Sequence, residues 1–140
     1  MAGFLGEVAF ENVFGGGYVG DTSRTHDYAL KGAAIDVKSK ICSTVPLPHY
    51  CASVPARRLR PLPADIYFFT RVLSDFSKVW LLGWATAKSI QKDKYYKKKG
   101  ETDEYGFTFL CSGYHLPINR TRRPDSLLNY LNKRHGQRSG

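Results

Sequence analysis

The chain has few cysteines, few acids and no long apolar run, and each shortage removes a class of protein. Cys42, Cys51 and Cys111 are the only cysteines in 140 residues. An odd count with no regular spacing argues against a disulfide-stapled secreted domain. No stretch approaches the ~20 consecutive apolar residues of a membrane-spanning helix. Met1-Ala2-Gly3-Phe4 carries neither a basic leader nor an apolar core, so no signal peptide is expected. These shortages predict a soluble, cytoplasmic protein with no membrane partner. For a phage-encoded chain the compartment is the host cell.

Acids are short as well. There are 12 Asp and Glu against 21 Lys and Arg, a formal net charge of +9. That excess predicts an anionic partner, and nucleic acid is the commonest. Residues 1–63 hold seven basic side chains against five acids, and residues 64–140 hold fourteen against seven. Most of the positive field therefore belongs to the second half. The 42% hydrophobic and 14% aromatic content excludes a disordered chain. No repeat and no composition break divides the sequence, so 1–140 reads as one domain with a single core.

Residues 4–14 predict a short helix with Phe4, Leu5, Val8, Val13 and Phe14 as its apolar stripe. Glu7 and Glu11, four apart, share a face of it. Gly15-Gly16-Gly17 ends it. Residues 26–30 and 33–40 predict two strands joined tightly by Lys31-Gly32. Residues 41–63, with five prolines, predict an irregular excursion. Residues 65–70 and 79–84 predict buried strands around a turn near 74–77, with Trp80 and Trp84 in the core. Thr86 predicts the cap of a basic helix running to about Lys97 and ended by Gly100. Residues 107–110 and 114–118 are weaker strand signals. Pro124-Asp125-Ser126 predicts the start of a last helix with Leu127, Leu128 and Leu131 inward, ended by Gly136. The expected class is α/β, a central mixed sheet flanked by helices.

The hairpin carries the chemistry. With Leu30 opposite Ala33, the register puts Ala29 opposite Ala34, Tyr28 opposite Ile35 and Asp27 opposite Asp36. Directly opposed Cβ atoms lie ~4.5–5.5 Å apart, and two like charges so placed repel. A bound cation would relieve that repulsion. Lys38, two residues beyond Asp36, points to the same face, and Ile35 and Val37 point to the core. Two carboxylates and an ammonium are the equipment for holding a divalent metal and a water beside a phosphate. The bland alternative is a surface ion pair between Asp36 and Lys38.

The order Glu7/Glu11, Asp27, Asp36-Val37-Lys38 resembles the PD-(D/E)xK nuclease superfamily, with its restriction-endonuclease-like fold, and is closest in style to small phage or resolvase-like members. The resemblance covers about residues 4–84, with 85–140 as a basic extension. His26 stands where the family pattern has proline. The resemblance implies a nuclease, a hydrolase acting on DNA phosphodiester bonds, with endonuclease or exonuclease action and RNA left open and a homodimer allowed. It implies that Asp27 and Asp36 coordinate Mg²⁺ or Mn²⁺, with the Val37 carbonyl as a further ligand and Lys38 beside the attacking water. Glu7, or else Glu11, completes the site.

Lys92, Lys94, Lys97 and Lys98, with Tyr95 among them, are expected to track a phosphate backbone and stack on bases. Lys40, Arg57 and Arg58, near or within the proline-rich excursion, and Arg120 and Arg122 form further basic candidates. The spacing of Cys42, His49 and Cys51, with Cys111 or His115, fits no common zinc module. Two competing readings keep the fold without the chemistry: a non-catalytic nucleic-acid-binding module, and a phage protein-interaction factor.

Overall fold

The Lys31-Gly32 turn organises the first half of the chain. The computed structural model describes residues 2–14, 28–58 and 60–139. Lys31 (φ 48°) and Gly32 (φ 80°) both take left-handed backbone, as a two-residue type I′ hairpin requires. β1 (Tyr28–Leu30) and β2 (Ala33–Cys42) pair antiparallel, with Tyr28 opposite Ile35, Ala29 opposite Ala34 and Leu30 opposite Ala33. These three pairs are the predicted ones. Asp27 and His26 lie outside the described residues.

β2 alternates as a strand with one core face must. Ala33, Ile35 and Val37 are buried, and Ala34, Asp36 and Lys38 are half-buried. β4 (Ile66–Leu73) lies beside it in parallel, with Asp36 next to Tyr67, Lys38 next to Phe69 and Lys40 next to Arg71. β5 (Val79–Thr86) returns antiparallel, giving the order β1-β2-β4-β5. A parallel pair needs a crossover. Here the crossover contains β3 (Cys51–Pro55), which joins β6 (Tyr96–Lys97) and β7 (Gly113–Pro117) in a second sheet of order β3-β7-β6. The excursion over 41–63 is thus not wholly irregular, because β2 runs to Cys42 and β3 falls within it.

β4 is covered on both faces, which explains the consecutive apolar residues Ile66–Phe69. On one side Ile66 and Phe68 pack with Ile35, Val37 and Trp84 against Phe10 of α1 (Ala2–Phe14) and Leu127 and Leu131 of α3 (Leu127–Ser139). On the other side Tyr67 and Phe69, with Ala85, meet Ala52 and Val54 of β3 and Tyr114 and Leu116 of β7. The layers run helix, sheet, sheet. The class is mixed α/β, with a second sheet in place of the single central sheet expected; its strand β7 falls on the predicted 114–118 signal. No helix among the described residues is long and apolar enough to cross a membrane.

Several expectations for the second half are corrected. Thr86 does cap a helix, its Oγ1 accepting from the Ser89 amide at 3.1 Å. That helix, α2 (Ala87–Ile90), stops after four residues. Ile90 is fully buried, and the Gln91 side chain is held by the Leu62 amide and the Arg60 carbonyl. A 3-10 turn over Asp93–Tyr95 follows, then β6. Tertiary burial of Tyr95 and Tyr96 on the second core overrides the local helical preference. Residues 107–110 form no strand, only a Thr102–Thr108 bridge. Trp84 is buried but Trp80 only half so. Leu128 is 40% exposed, unlike the fully buried Leu127 and Leu131. α3 continues through Gly136 to Ser139.

Gly83 lies where the β4–β5 register shifts. A Cβ there would strike the Thr121 hydroxyl and the Arg122 carbonyl. Its absence lets residues 121–122 lie against β5, where the main chains of Trp84 and Arg122 exchange two hydrogen bonds.

Candidate active site and basic groove

Asp36 and Lys38 occupy the face of β2 turned away from α1. Asp36 Oδ2 lies 2.7 Å from Lys38 Nζ, with the carboxylate 15% exposed and the lysine 38%. Tyr67 and Phe69 of β4 stand next to them and give the pair an apolar flank. Burial holds the Tyr67 phenol above its ordinary value, and the Asp36 charge pushes the same way. Its oxygen accepts from the Ala64 amide, which opposes the shift.

α1 approaches from the other face. Gly6 presses on Ser39 and Thr70, whose hydroxyls are hydrogen-bonded at 2.6 Å, and a Cβ at Gly6 would collide with both. Glu7 follows Gly6, and Ser39 follows Lys38, so helix and strand cross at this level. The Tyr28 hydroxyl donates to the Glu7 carbonyl at 3.0 Å and ties α1 to the hairpin. Glu7 is half-buried and Glu11 exposed. Val37 points its side chain into the first core. Among the described residues no three His, Cys, Asp or Glu side chains gather as a metal-holding group. Asp27, the second acid of the predicted set, is outside them.

The basic candidates divide into two kinds. Lys40 continues the Asp36–Lys38 face and is half-buried, its Nζ donating to the Cys51 carbonyl at 3.3 Å. The others lie nearer the second sheet and the chain's end. Arg57, Lys92, Lys98 and Arg120 are exposed. Arg58 meets Asp93 at 3.6 Å and lies over Tyr96. Lys94 lies 5.1 Å over Tyr95, whose ring is half-buried on the second core. Lys97 pairs with Gly113 in β6. Arg122 sits over both Trp84 and Tyr130, at 4.9 and 5.3 Å. Lys92, Lys94 and Arg122, joined by Lys88, line a cavity of about 410 Å³.

Sequence reasoning missed Arg71. It stands beside Lys40 in the β2–β4 register and donates to the same Cys51 carbonyl at 3.0 Å. The available signal was one arginine inside an otherwise apolar strand, since a charged side chain there needs a reason. A cavity of about 270 Å³ between the two sheets is lined by Lys38, Lys40, Arg71, Cys51 and Cys111 among others. All three cysteines are free thiols, and Cys42 is buried.

No family model, no curated protein and no solved structure matches this chain.

Proposed function

We propose that the chain is a metal-dependent nuclease that hydrolyses DNA phosphodiester bonds on a restriction-endonuclease-like fold. The observation that carries this reading is the Asp36–Lys38 pair, 2.7 Å apart on the face of β2 turned away from α1, in line with Lys40. The order of α1, hairpin and following strands supports the fold, and the net charge of +9 supports a nucleic-acid substrate.

The donors available suit a hard divalent ion in kind. Asp36 offers a carboxylate oxygen and Val37 a main-chain oxygen, the ligand type that Mg²⁺ and Mn²⁺ prefer. In this proposal Asp27 is the second carboxylate of the set, while Glu7, carried by α1 on the opposite face of β2, is left out of it. The bound ion would supply water activation and charge neutralisation at the phosphate. Lys38 is held by Asp36 and lines the cavity between the two sheets. There it orients the attacking water and offsets charge building on the phosphate oxygens. The Tyr67–Phe69 flank excludes bulk water from one side of the pair and strengthens that interaction.

The test is incubation with plasmid, branched DNA, single-stranded DNA and RNA in Mg²⁺, Mn²⁺ and EDTA. The expected result is metal-dependent cleavage abolished by EDTA and by Asp36→Asn. Absence of cleavage by a protein with an intact thermal transition sinks the reading. Salt-sensitive binding without cleavage would instead establish a non-catalytic module, and no binding at low salt a protein-interaction factor.

A further inference from the structure

The geometry points to Lys40 and Arg71 as a subsite for a backbone phosphate of the bound strand, next to the one at Lys38. The inference rests on the nucleic-acid reading of this face of β2, and its test separates the two.

Asp36, Lys38 and Lys40 project from one face of β2 at alternate positions, ~6.5 Å apart along the strand. That spacing is comparable with the separation of neighbouring phosphates in a nucleic-acid strand. Arg71 stands beside Lys40 on β4. Both cations are half-buried, and both donate to one neutral acceptor, the Cys51 carbonyl, at 3.3 and 3.0 Å. Together they carry eight N–H donors, so one shared carbonyl leaves most of that capacity unspent. Among the described residues neither forms an ion pair with a carboxylate.

Two cavities open onto the pair. One is the inter-sheet cavity shared with Lys38. The other, about 240 Å³, adds His49, Tyr50 and Asp103 to the lining. The Asp103 carboxylate already accepts from the Tyr105 and Phe107 amides at 2.9 Å each. The Arg71 guanidinium lies 5.1 Å from the centre of the Tyr50 ring, which also lines this cavity.

Adjacent like charges taken out of water are costly without an anion. Burial lowers the Lys40 pKa, and the Arg71 charge lowers it further. Burial lowers that of Arg71 too. A phosphate oxygen between them would satisfy both, with the planar guanidinium giving directed hydrogen bonds and the ammonium a point charge. A purely structural pair, serving only to fasten β3 to the first sheet, predicts that removing either cation destabilises the fold. A phosphate subsite predicts the opposite, because neutralising one cation relieves repulsion in the free protein.

The experiment uses a fluorescent single-stranded DNA oligonucleotide and the full chain in EDTA, followed by anisotropy across a salt series. Lys40→Gln and Arg71→Gln are expected to weaken binding about tenfold and to reduce the salt slope by about 1 each, with unchanged or higher melting temperature. Lys78→Gln, an exposed control in the β4–β5 turn, is expected to change binding little. Unchanged affinity and slope, or loss of affinity no greater than in the control, overturns the inference. So does a large fall in melting temperature with unchanged binding by the surviving fold.

A second measurement needs no variant. The oligonucleotide is expected to slow acetylation of Lys40 several-fold in the wild-type protein, read by mass spectrometry against Lys78, while orthophosphate at equal charge is not. Equal protection by orthophosphate makes this a free-anion site and overturns the strand assignment. Metal-dependent cleavage with wild-type binding by Lys40→Gln removes the subsite alone. Loss of binding in Lys40→Gln with no cleavage under any condition removes the nuclease and keeps the subsite.

Discussion

Lys38 Nζ lies 2.7 Å from Asp36 Oδ2, two residues along one strand and on one face of it. As a structural element this contact is modest. A half-exposed ion pair contributes roughly 0.2–1 kcal/mol. In the proposed function its weight comes from its place, on one face of β2 in line with Lys40.

The first prediction separates the two values of that contact. Lys38→Ala is expected to cost about 1 kcal/mol or less in stability, measured by urea unfolding. Metal-dependent plasmid cleavage is expected to fall by about 10²–10⁴, while DNA affinity in EDTA changes far less. A fall in cleavage that only parallels a fall in affinity would make Lys38 a binding residue.

His115 gives a pH prediction. Its Nε2 lies 3.0 Å from the Cys111 carbonyl, which can only accept, so Nε2 carries the proton. Nδ1 then accepts from the Ser53 hydroxyl at 2.7 Å. Burial lowers the pKa below the ordinary 6.5; the Cys111 hydrogen bond opposes this, and the Lys40 and Lys97 charges reinforce it. The unfolded chain therefore takes up a proton at pH values where the folded chain does not. Stability is complete above about pH 6.5 and falls as the pH drops through that value toward the folded pKa. Melting temperature against pH is expected to show this slope, and His115→Gln is expected to flatten it.

Gly83→Ala tests the close approach of residues 121–122 to β5. The added methyl meets the Arg122 carbonyl, which is backbone and cannot swing aside. A loss of about 1–3 kcal/mol is expected in urea unfolding. An unchanged midpoint would show that the segment shifts freely.

Arg122 was expected from the sequence to touch DNA, and it lies over Trp84 and Tyr130. Arg122→Ala is expected to cost about 0.5–1 kcal/mol in stability. It is expected to affect oligonucleotide affinity less than Lys40→Gln does. The reverse ranking in the anisotropy assay would return Arg122 to the interface.

Local signals were legible where the chemistry is local. Lys31-Gly32 reports a tight turn because the turn needs left-handed backbone at both positions, and the three described hairpin pairs follow from it. Thr86 and Pro124 mark helix or turn starts for the same kind of reason. The stretch 87–97 failed because its fate was settled elsewhere. Ile90, Tyr95 and Tyr96 are drawn into the second core, and Tyr96 pairs with Tyr114 eighteen positions later in the chain. β3 failed similarly, being a five-residue run whose partner, β7, lies far along the chain.

The sequence by itself determined the alternation of Asp36, Lys38 and Lys40 on one face of a strand, since period two is a property of the extended backbone. Only the tertiary structure decided what that face looks onto. Burial of both sides of β4 brings the second sheet over it. The parallel register then puts Arg71 beside Lys40 under one carbonyl of β3. A strand's pattern says which residues share a side. Which strand lies next to it is settled by the apolar surface that the whole chain must remove from water.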